Sequence, residues 1–537
     1  MVNLEDGPHD FSIVSVDFTG CTAKSGGNNV LVNGGDSKNW GITTEKLKGI
    51  QSILSLNELV GYDTDDTTMK QFPLNVFLDS HTGAAHVGKK KDGVLGRYDS
   101  WFCGFDYYPC ATITHTAQAR FSGGNKKIEL GPEFELAEEV SMTDVDKEWL
   151  ISCATKGMNV KVIRPSSICS DWLINAQSTC KIENITFSLP TELADVTSLI
   201  LANSTCLTLT SCSITNFALI PSGTFFAYSF VKAILGKLNV VQLVIEKTLP
   251  FGDHSLVKVE SGVNVVHFKD CIINSIEKKS GNGGFLEGAV GEDFGEGPIG
   301  IVVIESCVMK NCKCRRKDGK DGKGGGICMS VKGEGSVVVN GTSEFDGCEA
   351  YKGEDAEGRG GGIMLEMLSS KSKLEIASGV KFSVDTANKA KYGKDVFVSC
   401  GSGILLETKV DATTFGFFDS SEMPTDVLKL CGSEDGNEEK VIPLFIYLQS
   451  VISKLTVDGN KEGSLNHNYC GLENFGCKSV EYCVNKRVNS SIHEIEVVSE
   501  SSISDEIKVE TIEVSISGKA ATAANGMMRI NVKDIGS

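Results

Sequence analysis

Cysteine offers the most chemistry in this chain, with 19 among 537 residues. Two pairs stand out. Cys103 and Cys110 in CGFDYYPCATI reappear as Cys470 and Cys477 in CGLENFGCKSV, seven residues apart in each copy, with the copies 367 residues apart. A pair that keeps its spacing suits either a local disulfide pinning the start of a structural unit or two buried free thiols, and the spacing alone leaves both open. A second group, Cys307, Cys312, Cys314, Cys328 and Cys348, crowds one region beside the basic run RRKDGKDGK. Thiolates could bind zinc there and the basic residues nucleic acid, but no CxxC pair occurs. A basic loop in an acidic chain reads more simply as a solvated insertion.

The remaining candidates are weaker. Asp63, Asp65 and Asp66 in YDTDDTT are the densest acidic cluster, but they lack the Gly and the terminal Glu of an EF-hand loop. His81, His86, His115, His254 and His267, among eight histidines, show no local zincin-like spacing. Gly319, Gly322 and Gly324 to Gly326 make a Gly-rich loop without the GxxxxGK[ST] string that cradles phosphate. The sequence therefore names no catalytic residue, cofactor site or metal ligand.

Seventy acidic residues against 52 basic ones give a net charge of −18, which repels nucleic acid at long range. Hydrophobic residues at 41% and charged residues at 23% are in the globular range, so the chain can bury a core. No apolar run is long enough for a transmembrane helix; the nearest, 225–245, contains Lys232 and Lys237. The opening MVNLEDGPHD has no apolar stretch of the signal-peptide kind.

The elements that would position these residues follow from an internal repeat. KKIEL with Ile128 answers to HEIEV with Ile495 at an offset of 367, and FPLNVFL with Pro73 to IPLFIYL with Pro443 at 370. LVG ending at Gly61 answers to LCG ending at Gly432, and Ala23, Gly26 and Val30 answer to Ala390, Gly393 and Val396. Matches in one order with nearly constant offset imply duplication. The expected organisation is the end of a preceding unit over 1–36, a connector over 37–100, a complete unit over 101–400, a second connector over 401–465, and the start of another unit over 466–537. The chain reads as a window of a longer tandem array.

Within 101–400 a shorter pattern recurs. LTLTSCSITNF, VVHFKDCIINS and IVVIESCVMKNC each run an alternating apolar strand into Cys212, Cys271 or Cys307, with Asn216, Asn274 or Asn311 following. GGGICMSV and GGGIMLEM place Ile327 and Ile363 36 residues apart, while Val308, Phe345 and Phe382 recur at 37. No helical pattern separates the strands, so the prediction is all-β: a right-handed parallel β-helix with small connecting β-rich modules, ahead of a Greek-key sandwich. Aligned Cys and Asn would then stack as internal ladders, Cys as a small hydrophobe and Asn satisfying turn backbone groups.

The strings Gly324, Gly325, Gly326, Ile327 and Gly360, Gly361, Gly362, Ile363, with FDGC from Phe345 to Cys348 and the AxxGxDV string from Ala390, resemble the GGAI and FxxN repeats of polymorphic outer membrane protein passengers. They are similar more broadly to pectin lyase-like β-helix repeats of large protist and bacterial surface proteins. Here GGGI replaces GGAI, and Cys348 stands where FxxN has Asn. The resemblance implies display outside the cell or on its surface, and adhesion, coating or contact with glycans or other surface proteins. Pectin lyase-like folds also host polysaccharide lyases and glycoside hydrolases. That alternative requires carboxylates converging with Arg or Lys in a groove along the helix. An intracellular scaffold is the third possibility.

Overall fold

The computed structural model describes most of residues 103–458, together with 2–4, 30–34, 59–63, 71–73, 85–88, 470–471, 476–480, 482–483, 494–497 and 515–518. Two compact units divide the chain, 1–279 and 280–537.

In the first unit, parallel ladders run from coil to coil. One passes through Lys126–Leu130, Glu148–Cys153, Thr179–Glu183, Ser198–Thr210, Ser229–Val241 and Val263–Lys269. Another passes through Phe134–Leu136, Met158–Val162, Ile185–Leu189, Ser213–Asn216, Val244–Ile245 and Ile272–Ile273. A strand whose two edges are both paired in parallel must bury one face, and alternation of Leu207 and Leu209 with Thr208 supplies it. The interior holds Phe187, Phe226, Phe230, Phe251 and Phe268, with Phe187 packed edge-on to Phe230.

The second unit repeats this plan. Leu286–Val290, Ile327–Val331, Ile363–Met367, Val396–Cys400 and Leu430–Ser433 form one parallel ladder. Ile301–Glu305, Ser336–Asn340 and Lys373–Ile376 form a second, and Val308–Lys310, Glu344–Asp346 and Lys381–Phe382 a third. Both units are thus all-β, parallel solenoid structure of the β-helix kind. The expected pairing of Ile327 with Ile363 is the observed register. Val308 is displaced by one from its expected place: Met309, which is buried, pairs with Phe345, because alternation points Val308 partly outward.

The corner after the long strands explains the Cys pattern. Ser211, Asp270 and Ser306, each immediately before Cys212, Cys271 or Cys307, adopt left-handed backbone with φ of 52–53°. The chain turns there, so the buried cysteine stands immediately before the next strand, which starts at Ser213, Ile272 or Val308. Each thiol lies 3.3–3.5 Å from the carbonyl oxygen two residues earlier, that of Thr210, Lys269 or Glu305. A thiol thus fills the interior as a small hydrophobe and donates weakly to a turn carbonyl, which alanine could not do. The expected internal Asn ladder is not found in these places: Asn274 is half-buried and Asn311 exposed.

The two segments expected to connect units share one strand pairing. In the first unit the parallel strand Leu59–Asp63 meets the antiparallel Gln71–Pro73, with Val60 opposite Pro73. In the second, Leu430–Ser433 meets Ile442–Pro443, with Cys431 opposite Pro443. Over 401–418 the chain also lies against the preceding coil, where the Lys409 Nζ donates to the carbonyls of Ser370 at 2.6 Å and Ser372 at 2.7 Å.

Candidate functional site

Three places concentrate reactive side chains. The first is the disulfide module, present once in each unit. Cys103 and Cys110 are paired as a disulfide with Cα atoms 4.8 Å apart, and Cys470 and Cys477 likewise at 4.7 Å. Around each pair the backbone makes the same bonds. His86 N–H donates to Gly104 O at 2.8 Å and Cys110 N–H to His86 O at 3.0 Å; Thr456 N–H donates to Gly471 O at 2.6 Å and Cys477 N–H to Thr456 O at 2.9 Å. Gly104 and Gly471 hold φ of 112° and 111°, a conformation that favours glycine after the first cysteine. The loop is thereby tied to Ala85–Val87 or Leu455–Val457, which pair in parallel with Lys126–Leu130 and Glu494–Val497.

A short helix follows each loop. In the first module Ile113–Arg120 is capped by Thr112, whose Oγ1 accepts the His115 N–H at 3.1 Å, and by Glu138, whose Oε1 accepts the Ile113 N–H at 2.6 Å. Such caps satisfy amides that a helix start leaves open. The ligand atoms of Cys103, Cys110 and His115 lie within 4.8 Å of one another. Spacing did not reveal that meeting.

Closing each loop by a disulfide should contribute about 2.5 kcal/mol for a loop this short. Non-reducing peptide mapping is expected to recover the 103–110 and 470–477 linkages. Full alkylation of all four thiols without reductant would overturn both assignments.

The second place is a charged face of the second unit. The Lys310 Nζ lies 2.9 Å from Glu344, 3.2 Å from Asp385 and 3.9 Å from Asp346. Hydrogen bonds to Glu344 and Asp385 hold the lysine pKa above its ordinary value. Asp346 is buried and its Oδ1 accepts the N–H groups of Asp385 at 3.0 Å and Thr386 at 2.7 Å, fixing the turn that carries Asp385. One step along the coil, Glu349 is gripped by Lys389 at 2.8 Å, Lys313 at 3.1 Å and the Tyr351 hydroxyl. Burial alone would raise the Glu349 pKa, but the bonds from Lys389, Tyr351 and Lys313 outweigh it, leaving the carboxyl below its usual range.

The third place is the cysteine-rich interior. Cys307, Cys312, Cys314, Cys328 and Cys348 are all buried, and they do not form a metal-ligand group of three among the described residues. Burial pushes the thiols of Cys153, Cys180, Cys400 and Cys431 up to about 12, and that of Cys328 well above its ordinary value. Thiols held protonated in this way are packing groups and poor nucleophiles.

The GGGI strings are structural. Gly325 N–H donates to Gly360 O at 3.0 Å, and Ile363 N–H to Asp395 O at 2.9 Å, so successive coils meet backbone to backbone. Cys348 is buried behind Phe345, and its N–H donates to Oδ1 of Asn388 in the next coil at 2.7 Å. Asn388 also donates to Phe345 O at 3.1 Å and to Asp395 at 2.9 Å. Burial raises the pKa of the Asp395 carboxyl despite bonds from Ser383 and Asn388. Sequence reading included Asp395 only as the acid of the AxxGxDV string, and missed Asn388 and a further glycine corner at Gly283 and Gly284, where Gly284 N–H donates to Gly325 O. The string GNGGFL was the available signal. Asp63 lies on a described strand, while Asp65, Asp66, His81 and Gly319 fall outside the described residues.

No protein-family model matches the chain, and neither a curated protein nor a solved structure matches it. Among the described residues no helix is long and apolar enough to cross a membrane.

Proposed function

We propose that this is a non-catalytic tandem β-helix protein, displayed at a cell surface or secreted, whose coils present a side face for adhesion, coating or glycan contact. One observation carries the reading. The whole module of antiparallel pair, disulfide loop and first parallel strand recurs, with Cys431 opposite Pro443 as Val60 is opposite Pro73 and with the same hydrogen bonds around each disulfide. Repeating rigid coils multiplies presented surface, whereas a catalytic groove gains nothing from a second copy of this module. The similarity of the GGGI and FDGC strings to polymorphic outer membrane protein passengers and pectin lyase-like surface repeats supports the same reading.

A specific observation favours the second reading, a carbohydrate-active enzyme: Glu344, Asp346 and Asp385 converge on Lys310. Against it, their oxygens lie within 4.8 Å of one another, closer than the roughly 5–9.5 Å between the paired carboxyls of glycosidases. Asp346 is moreover consumed by backbone bonds. The deciding experiment incubates the full chain with acidic and neutral polysaccharides, measuring both retention on the immobilised glycan and release of reducing or unsaturated ends. Retention without product is expected. Product formation that disappears in Lys310→Ala would establish the enzyme, and surface labelling that finds the native protein only inside cells would favour a scaffold.

A further inference from the structure

The two disulfide modules share their backbone but differ at two positions that could bind metal: His115 against Tyr482, and Thr116 against the buried thiol of Cys483, which joins no three-ligand group among the described residues. The first module has His115 in the opening turn of its helix, its N–H donating to Thr112 Oγ1 at 3.1 Å. The second has Tyr482 in the same place, its N–H donating to Ser479 Oγ at 3.3 Å. Thr116 N–H to Thr112 O and Cys483 N–H to Ser479 O, both 3.2 Å, complete the correspondence. The backbone has therefore been kept while imidazole has been exchanged for phenol, and the Thr116 hydroxyl for the Cys483 thiol; only in the first module do three ligand atoms converge among the described residues.

We propose that the first module, when its disulfide is reduced, is a zinc site formed by Cys103, Cys110 and His115, and that the second module is not. The donor set decides the ion. Two thiolates and one imidazole suit Zn²⁺, while Ca²⁺ and Mg²⁺ demand oxygen ligands. In tetrahedral zinc sites, bonds of about 2.0–2.3 Å place donor atoms roughly 3.5–4 Å apart. Cys103, Cys110 and His115 already hold their donor atoms within 4.8 Å of one another, with both cysteines buried and His115 half-buried. Breaking the S–S bond frees the sulfurs to separate to the required distance. Three protein ligands leave a fourth position for water or an incoming ligand.

The chemistry balances. A thiol reductant gives two electrons and two protons to the disulfide, yielding two thiols and its own disulfide. Zn²⁺ then binds two thiolates and neutral imidazole, releasing two protons. Either covalent bond or metal would staple the loop to Ala85–Val87, so the oxidised and reduced proteins would keep the same fold there. This inference does not depend on the functional reading above.

The test uses the full chain, reduced with a phosphine under anaerobic conditions, freed of metal, and titrated with Zn²⁺ against a chromophoric chelator. Alkylation followed by peptide mapping then reads each cysteine separately. One equivalent is expected to bind, slowing alkylation of Cys103 and Cys110 while leaving Cys470 and Cys477 unchanged. His115→Tyr, a change whose product the second module already tolerates, is expected to weaken binding by at least about 100-fold, since losing a ligand costs more than the roughly 10–100-fold of losing a ligand's hydrogen-bond partner. Tyr482→His is expected to add a second equivalent. Absence of Zn²⁺ binding in the reduced wild type, equal protection of both cysteine pairs, or unchanged protection in His115→Tyr would overturn the proposal.

Discussion

Gly325→Ala is expected to destabilise the second unit by about 3 kcal/mol, seen as a fall in its denaturant midpoint. A Cβ there would stand 2.3 Å from Gly361 O and 2.6 Å from both the N and the O of Glu349. All three are backbone atoms, so no rotamer change relieves the clash. The neighbouring coil cannot move away cheaply either, because Gly325 N–H donates to Gly360 O and Gly326 N–H to Gly362 O. Overpacking costs about 1–3 kcal/mol, and contact with fixed backbone on two sides belongs at the upper end. Gly403 is the control: its φ is +75°, but a Cβ would meet nothing within 4 Å. Gly403→Ala should cost only the left-handed penalty of about 1–2 kcal/mol. Losses that are equal, or larger at Gly403, would show that the coils do not approach as closely at Gly325 as these distances require.

Phe345→Ala should cost about 3–5 kcal/mol, the range for removing a buried aromatic ring. Phe345 is fully buried and stacks on Phe382, with centroids 5.2 Å apart and planes at 14°. Phe417 packs against Phe382 in turn, at 5.0 Å with the planes tilted by 48°. Phe417 belongs to the segment that follows the last of these coils, so the rings link coil packing to that segment. Phe382→Ala should cost less, because that ring is already partly exposed. Equilibrium unfolding with an unchanged slope in denaturant checks both. A loss below about 1 kcal/mol for Phe345→Ala would contradict burial of the ring between coils.

How much could be read beforehand depended on the range of the contact. The spacing of Ile327 and Ile363 predicted their pairing because strand, turn and strand recur with little change in length between those coils. Val308 came out one residue wrong, since its turn has a different length and alternation then reverses which side chain faces inward. The left-handed corners were hidden because they carry Ser211, Asp270 and Ser306, not glycine. Asn388 was missed because it serves Cys348 from the next coil, 40 residues on. The charged face was missed for the same reason: Lys310 and Asp385 are 75 residues apart in sequence.

By itself the sequence determined the all-β character, the coil spacing and the recurrence of Cys103 with Cys110 at Cys470 with Cys477, because these are properties of local alternation and repeated strings. Only the tertiary structure decided which side chains meet. It buried the crowded cysteines as packing, gathered Glu344, Asp346 and Asp385 around Lys310, and set His115 beside one sulfur pair, with Tyr482 at the matching helix position of the other module. The physical reason is that a solenoid brings together residues one coil apart, and the length and handedness of each intervening turn, which local pattern constrains weakly, fixes the register in which they do so.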